Sequence, residues 1–276
     1  MGWPRDGLAI IIPARLESSR LPRKLLIEIH GRTVLEWTWR RARASGVARH
    51  VAIATDSAEI TAAARAFGAD VIATGPQPTG THRVAQAAGR LAPPPRWVID
   101  LQGDEPRIDP QAIIRVAERL CGAGAGEAGT SDDAAIVTAA APLASLAEWR
   151  DAGVVKVVCR PSGEALYFSR APVPGTPSAA EEGAFARVRG LALQHVGIYG
   201  YPAALLQRFV KLAPSPLAEI ESLEQLRALE AGIPIRVVRL ERAAPSLDTP
   251  ADLERLRRMP VGGEGDEIPA QGGGQA

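Results

Sequence analysis

Cysteine is almost missing from this chain, which has only Cys121 and Cys159. They lie far apart, in no metal-ligand spacing and with no second pair. This excludes a disulfide scaffold and a cysteine zinc site, and fits a reducing compartment. Excess charge is missing too, with 32 basic residues against 31 acidic for a net +1. No overall basic field directs the chain to nucleic acid, and no acidic block supplies a solvating tail. Long apolar runs are absent, none approaching the roughly 18 residues of a membrane span. The opening MGWPRDGLAIIIPAR has no basic leader followed by an apolar stretch, and Asp6 stands where a myristoylation signal carries Ser or Thr. These absences predict a cytoplasmic protein with neither a membrane nor a nucleic-acid partner. The 276 residues suffice for one large α/β domain, or one domain with a subdomain, around a sizeable core.

What is present alternates. Strand-like runs at 8–12, 50–55, 69–73, 97–101 and 135–140 are separated by segments such as 33–45 and 59–67, whose apolar residues recur at helical spacing. That alternation predicts βαβ units and a parallel sheet. In the second half, 154–158 and 165–168 read as paired strands across a turn containing Pro161 and Gly163. Residues 172–190, rich in Pro, Gly, Ala and Glu, read as a mobile loop. Strands at 191–201 and 233–240 and helices at 222–230 and 250–258 follow, the last begun by Thr249 and Pro250. The Gly-rich stretch 260–276 reads as a disordered tail.

Three clusters carry chemistry. The run IIIPARLESSRLPRKLL (10–26) stops at Pro13 and releases Arg15, Arg20, Arg23 and Lys24 against the single acid Glu17. Pro13 cannot donate to a ladder, so pairing is expected to end there, with the loop leaving the carboxyl edge of the sheet, where α/β folds bind ligands. Such a loop fits a polyphosphate. The stretch WVIDLQGDEP ends a second strand in Gln102, Gly103, Asp104 and Glu105. A carboxylate there can share Mg²⁺ with a nucleotide's phosphates, and Gly103 lets the backbone approach a ligand closely. Asp248, just before the last helix, is either an adjunct to the helix cap or a second metal ligand.

Weaker signals surround these. Thr79, Gly80 and Thr81 open a helix whose amides and hydroxyls suit a base edge or a phosphate oxygen. Along the later strand His195, Gly197 and Tyr199 fall on one face, a floor for a hydroxyl-rich ligand. Glu221 and Glu224, three apart, read as surface ion pairing.

In this order the pieces resemble the 3-deoxy-manno-octulosonate (Kdo) cytidylyltransferases. The carrying stretches are IIPARLESSRLPRKLL, VAIATDSAEI, TGTHRVAQAA, LQGDEP, GVVKVVCRPSGEALYFSRAPVP, HVGIYGY, PSPLAEIESLEQLRALEAG and LDTPADLERLR, spanning about residues 8–259. The resemblance implies an α/β, Rossmann-like nucleotidyltransferase fold of the nucleotide-diphospho-sugar transferase type. Its sheet would be mixed and mostly parallel, forming a single domain over 1–259 with a small dimerising subdomain at about 142–240. The implied activity is transfer of CMP from CTP to the anomeric hydroxyl of Kdo, with release of pyrophosphate, for lipopolysaccharide synthesis. It further implies that Arg15, Lys24 and nearby Arg20 hold the triphosphate, that Thr79, Gly80 and Thr81 receive the nucleoside, and that Asp104 and Asp248 bind Mg²⁺. Gln102, Arg170, His195, Tyr199, Glu224 and Gln225 match the sugar-acid site, and a homodimer is implied. Arg15, Lys24, Asp104 and Asp248 are thus the expected catalytic groups.

The chain departs from the family pattern in three places. Arg23 replaces a glycine in the usual RLPGKPL, which is strained if that position has a positive φ, and Leu25 replaces a proline. His82 replaces an acid after the helix-opening turn. After SRAPVP the segment GTPSAAEEGAFARVRG lacks the usual Trp, leaving Arg187 or Arg189 as candidates for a further contact to the sugar carboxylate. The altered segment leaves open another keto sugar acid of amino-Kdo or sialic acid type. Arg23 and His82 leave open a CTP-binding homologue without turnover.

Overall fold

A computed structural model describes residues 7–18, 21–122, 134–176 and 181–260. In chain order the first half runs β1 (Leu8–Pro13), a 3-10 turn (Lys24–Leu26), β2 (Glu28–Ile29), β3 (Arg32–Thr33), α1 (Val34–Ala44), β4 (His50–Thr55), α2 (Ala58–Ala66), β5 (Asp70–Ala73), α3 (Gly80–Ala88), β6 (Trp97–Leu101) and α4 (Pro110–Cys121). The second runs β7 (Ile136–Pro142), α5 (Leu146–Arg150), β8 (Lys156–Cys159), β9 (Ala165–Ser169), α6 (Glu181–Val188), β10 (Ala192–Pro202), α7 (Ala203–Phe209), α8 (Pro216–Glu221), α9 (Leu226–Glu230), β11 (Ile235–Arg239) and α10 (Pro250–Arg258). The chain forms two compact units. The first takes the residues up to Pro95, Asp100–Ile114 and those from Ala244 on; the second takes Arg96–Ile99 and Arg115–Ala243.

In the first unit β1, β4 and β5 are parallel neighbours, with Ile11 opposite Ala52 and Ile53 opposite Val71. Ile10, Ile11, Ile12 and Ile53 are wholly buried, as β-branched residues of a strand covered on both faces should be. The helices start where their caps dictate. Thr33 accepts from the Glu36 amide at 3.1 Å to open α1, and Ser57 accepts from the Ile60 amide at 3.2 Å to open α2. Because the strands are parallel, the loops after β1, β4 and β5 leave the same edge. Pairing ends at Pro13 as the sequence predicts: Pro13 is the last residue of β1 in register, opposite Ala54, and Ala14 closes the ladder by donating to the Ala54 carbonyl at 2.8 Å. Donors to one neighbour alternate along a strand, so a missing amide on the intervening residue leaves this ladder intact.

The second unit is mixed. β7 pairs antiparallel with β10 and parallel with β11, β10 pairs antiparallel with β8, and β8 with β9. The β8–β9 turn closes with Arg160 donating to Glu164 at 2.8 Å, and Gly163 supplies its φ of +85°. Phe168, Ile198, Leu206, Phe209, Leu226 and Ile235 are buried in the unit's interior.

Two sequence expectations change here. Part of the stretch read as a mobile loop is helix α6. Phe185 and Val188, three apart on one face, pack with Leu143, Trp149 and Ala192, while the Trp149 indole donates to the Val173 carbonyl at 3.1 Å. The segment read as one helix over 222–230 is helical only from Leu226, as α9, after a turn. α8 ends at Ser222, which sits in the left-handed region at φ 52°, ψ 47°. Leu223 donates back to Ala218 at 3.0 Å and Ser222 to Glu219 at 3.3 Å, a Schellman closure with buried Leu223 as its apolar contact. The tail at 260–276 lies outside the described residues beyond Pro260.

Candidate active site

The first unit gathers one ammonium and two carboxylates. Lys24 begins the 3-10 turn that follows the β1 loop, Asp104 follows β6, and Asp248 precedes α10. The Lys24 Nζ donates to Asp104, and to Asp248 Oδ1 at 3.1 Å. Burial disfavours the Lys24 ammonium, but the two carboxylates outweigh it and hold its pKa above the usual value.

Several contacts fix this arrangement. Thr38 of α1 donates to the Gly103 carbonyl at 2.9 Å, and the Leu247 amide donates to the Asp104 carbonyl at 3.0 Å. The Asp252 carboxylate accepts from the Asp248 amide at 3.2 Å and the Thr249 amide at 2.9 Å, inside a capping box that opens α10. Thr249 is therefore the cap, and the Asp248 carboxylate is turned to Lys24. A Cβ on Gly103 would meet Leu25 at 3.3 Å and the Pro13 carbonyl oxygen at 3.4 Å. What approaches this glycine closely is the protein's own cation loop.

The described cations of that loop separate. Arg15 is exposed just past β1, and Arg20 lies outside the described residues. Arg23 takes the left-handed conformation, φ 56°, ψ 28°, and pairs with Glu59 in the first turn of α2. Thr79 caps α3, and its hydroxyl lies 2.8 Å from the His82 ring Nδ1. His82 thus stands where the third residue of a capping box would place its carboxylate. Gly80 is exposed and Thr81 buried at the same helix start.

In the second unit His195 and Tyr199 lie on β10 with rings 5.2 Å apart, and Phe168 meets His195 edge-on at 5.4 Å. Burial pushes the His195 imidazole down to about 3 and keeps it neutral. Arg170, at the end of β9, donates from Nε to the Glu221 carbonyl at 2.9 Å and from Nη1 to Ala152 at 3.0 Å. Its Nη2 reaches the Ser222 carbonyl at 3.5 Å. Glu224 and Gln225 occupy the turn between α8 and α9, where Gln225 is buried and Glu224 pairs with Arg227 at 3.2 Å.

A family model described as cytidylyltransferase matches residues 9–238. A 3-deoxy-manno-octulosonate cytidylyltransferase of Halorhodospira halophila is 46% identical over 258 residues, 91% of this chain and 96% of the relative. One of Anaeromyxobacter dehalogenans is 46% identical over 256 residues, 93% and 98% of the two chains. The chain belongs to the 3-deoxy-manno-octulosonate cytidylyltransferase family. A solved structure of CMP:2-keto-3-deoxy-manno-octonic acid synthetase complexed with CTP matches with a TM-score of 0.78 at 36% identity, covering 91% of this chain and 96% of the other. The 4-diphosphocytidyl-2C-methyl-D-erythritol synthase of Anaerococcus prevotii, at 14% identity and a TM-score of 0.58, shares the fold.

Within this family assignment, the structure brings Lys24, Asp104 and Asp248 together in the first unit, where Gln102 is also exposed at the end of β6. It holds Arg170, His195, Tyr199, Glu224 and Gln225 in the second. Two supporting residues escaped the sequence reading. Glu221, read as a surface ion-pair former, accepts from the Ser169 hydroxyl at 2.6 Å and the Arg170 amide at 2.8 Å. It ties the end of β9 to the α8–α9 turn that carries Glu224 and Gln225. Lys156 is fully buried and donates to the carbonyls of Asp151, Val154 and Arg170 at 2.6–2.7 Å. Its signal was a lone charge in the strand sequence VVKVV, where an inward-facing lysine demands acceptors. The two cysteines are free, and burial pushes the Cys121 thiol up to about 11, far from a reactive thiolate. Arg187 and Arg189 are exposed near the end of α6.

Proposed function

We propose that this protein transfers CMP from CTP to the anomeric hydroxyl of Kdo, releasing pyrophosphate. The observation that carries the reading is the convergence of Lys24, Asp104 and Asp248 beside the cation loop of a chain in this family. Two hard-oxygen carboxylates that already share one cation suit Mg²⁺, which needs only one or two carboxylates beside water and phosphate oxygens. Asp104 and Asp248 would hold it. When bound, Mg²⁺ neutralises charge at the reacting phosphate and lowers the pKa of a coordinated hydroxyl.

The chain's own groups do the rest. In-line attack at the α-phosphorus builds charge on its oxygens and on the departing pyrophosphate, so cations and positioning dominate. Lys24 and Arg15, with Arg20 on the same loop, take the triphosphate. The amides and hydroxyls at the start of α3, from Thr79 to Thr81, take the nucleoside. On the sugar-acid side, His195, Tyr199, Glu224 and Gln225 of the second unit offer hydroxyl partners. Arg170 has five N–H groups and commits three to carbonyls, so two remain for a carboxylate.

Neither Arg23 nor His82 argues for a protein without turnover. Arg23 is paired away to α2 while Lys24 keeps both aspartates, and His82 retains a place in the cap of α3. Pyrophosphate release should require CTP, Kdo and Mg²⁺ together. A folded protein that binds CTP but releases none with Kdo, amino-Kdo or sialic acid would end this reading.

We propose also that the protein is a cytoplasmic homodimer. No helix among the described residues is long and apolar enough to cross a membrane. The exposed large apolar side chains of the described residues, Leu166, Leu191, Leu217 and Ile220, all belong to the second unit. Light scattering at micromolar concentration decides the assembly, and a monomer there refutes it.

A further inference from the structure

β10 carries an irregularity opposite β7. Val196 faces Ala139 and Tyr199 faces Thr138, so Gly197 and Ile198 are extra residues in the ladder. The bulge brings the Ile198 carbonyl to the Thr138 hydroxyl at 2.7 Å, and the same hydroxyl lies 2.9 Å from His195 Nε2. Thr138 is wholly buried, so neither contact is an exchangeable surface bond.

The hydroxyl has one proton, and a carbonyl oxygen only accepts. Thr138 therefore donates to Ile198 and meets Nε2 with a lone pair, which requires Nε2 to carry a hydrogen. A neutral imidazole protonated at Nε2 has a bare lone pair at Nδ1, and among the described residues no hydrogen bond reaches that atom. We propose that Thr138 is a positioning residue that locks His195 in the Nε2–H tautomer, leaving Nδ1 as a fixed acceptor for a hydroxyl of the polyhydroxylated acid.

The inference rests on His195 lying at the sugar-acid site. It assigns that residue a specific task, reading an O–H donor. A carboxylate or phosphate oxygen would set its own lone pairs against Nδ1. The depressed pKa of His195 agrees, because an imidazolium would present a donor at both nitrogens.

The test combines ring nitrogen NMR with kinetics. Histidine-labelled protein has four imidazoles, and His195→Ala assigns the one of interest. At pH 7.5 the native ring should show a protonated Nε2 and a bare Nδ1. Thr138→Val should lose that pure state and raise the KM for the sugar acid about fivefold to tenfold, the size of one neutral hydrogen bond. The KM for CTP should stay within about twofold, and Thr138→Ser should restore the native values. A native ring protonated at Nδ1, or a tautomer unmoved in Thr138→Val, overturns the inference and leaves the proposed function standing. If the tautomer shifts but neither Thr138→Val nor His195→Ala raises the KM for the sugar acid, His195 is removed from the sugar-acid site and the lock loses its purpose.

Discussion

Replacing Lys24 with methionine keeps the stem and removes the charge, and its consequence can be worked from the geometry. The 3.1 Å contact to Asp248 alone is worth about 5 kcal/mol of attraction at an effective dielectric near 20. Desolvation of the ammonium offsets much of it. The larger effect is what remains, two carboxylates held near each other by their backbones, with side-chain exposures of 16% and 29%. Breaking fully buried pairs costs about 3–5 kcal/mol, so this partly exposed triad should lose ~2–3 kcal/mol. At this chain size that lowers Tm by about 4–10 °C.

The loss should be recoverable by a divalent cation. Mg²⁺ at about 100 times its dissociation constant adds ~2.7 kcal/mol to a state that binds it. In the native protein without nucleotide, Mg²⁺ must first displace Lys24, so its stabilisation should be smaller. Urea or thermal unfolding of both proteins, with and without Mg²⁺, measures all four values. A variant as stable as the native protein in chelator, or one whose response to Mg²⁺ merely equals the native response, would refute the argument that Lys24 is the resident counter-charge of these carboxylates.

Asp104→Asn and Asp248→Asn should each lose turnover by about 100-fold or more while keeping the native circular dichroism, since their carboxylates serve charge rather than packing; retained turnover in either removes it from the metal site. His195 is neutral in the fold with a pKa near 3 against about 6.5 when unfolded, so below pH 6.5 the unfolded chain binds the extra proton. The stability this residue contributes is complete above about pH 6.5 and is lost as the pH falls toward 3, by at most ~2 kcal/mol at pH 5. His195→Phe should flatten the native loss between pH 7 and 5 in urea titrations, and an unchanged slope would refute it. Arg23→Gly relieves the left-handed backbone, worth about 1 kcal/mol, and gives up an exposed ion pair worth less. Stability should rise slightly, with the KM for CTP within about twofold of native; a tenfold rise would return Arg23 to the triphosphate site.

Elements specified by local chemistry were legible. α1 sits within one residue of its expected span because Thr33 and Ser45 bound an apolar periodicity. Thr249 and Pro250 marked the start of α10, and the isoleucine run marked β1. One element that went astray depends on a distant partner. α6 forms where Phe185 and Val188 can pack with Trp149, a contact that composition could not forecast in a Pro- and Gly-rich stretch. The break at Ser222 depends on a non-glycine residue accepting a positive φ, which runs against its propensity.

The sequence by itself determined the chemistry on offer: a cation loop after a buried strand, aspartates at a strand end and before a helix, and the family to which they belong. Residue type and order carry that information, because strand ends and helix caps are set over a few positions. Only the tertiary structure decided which cation uses which anion. It gave Lys24 to Asp104 and Asp248 and Arg23 to Glu59, because side chains 36 to 224 positions apart meet only when strands and helices pack. It decided likewise that Thr138 and a bulge in β10, unremarkable in the sequence, set which nitrogen of His195 carries the proton.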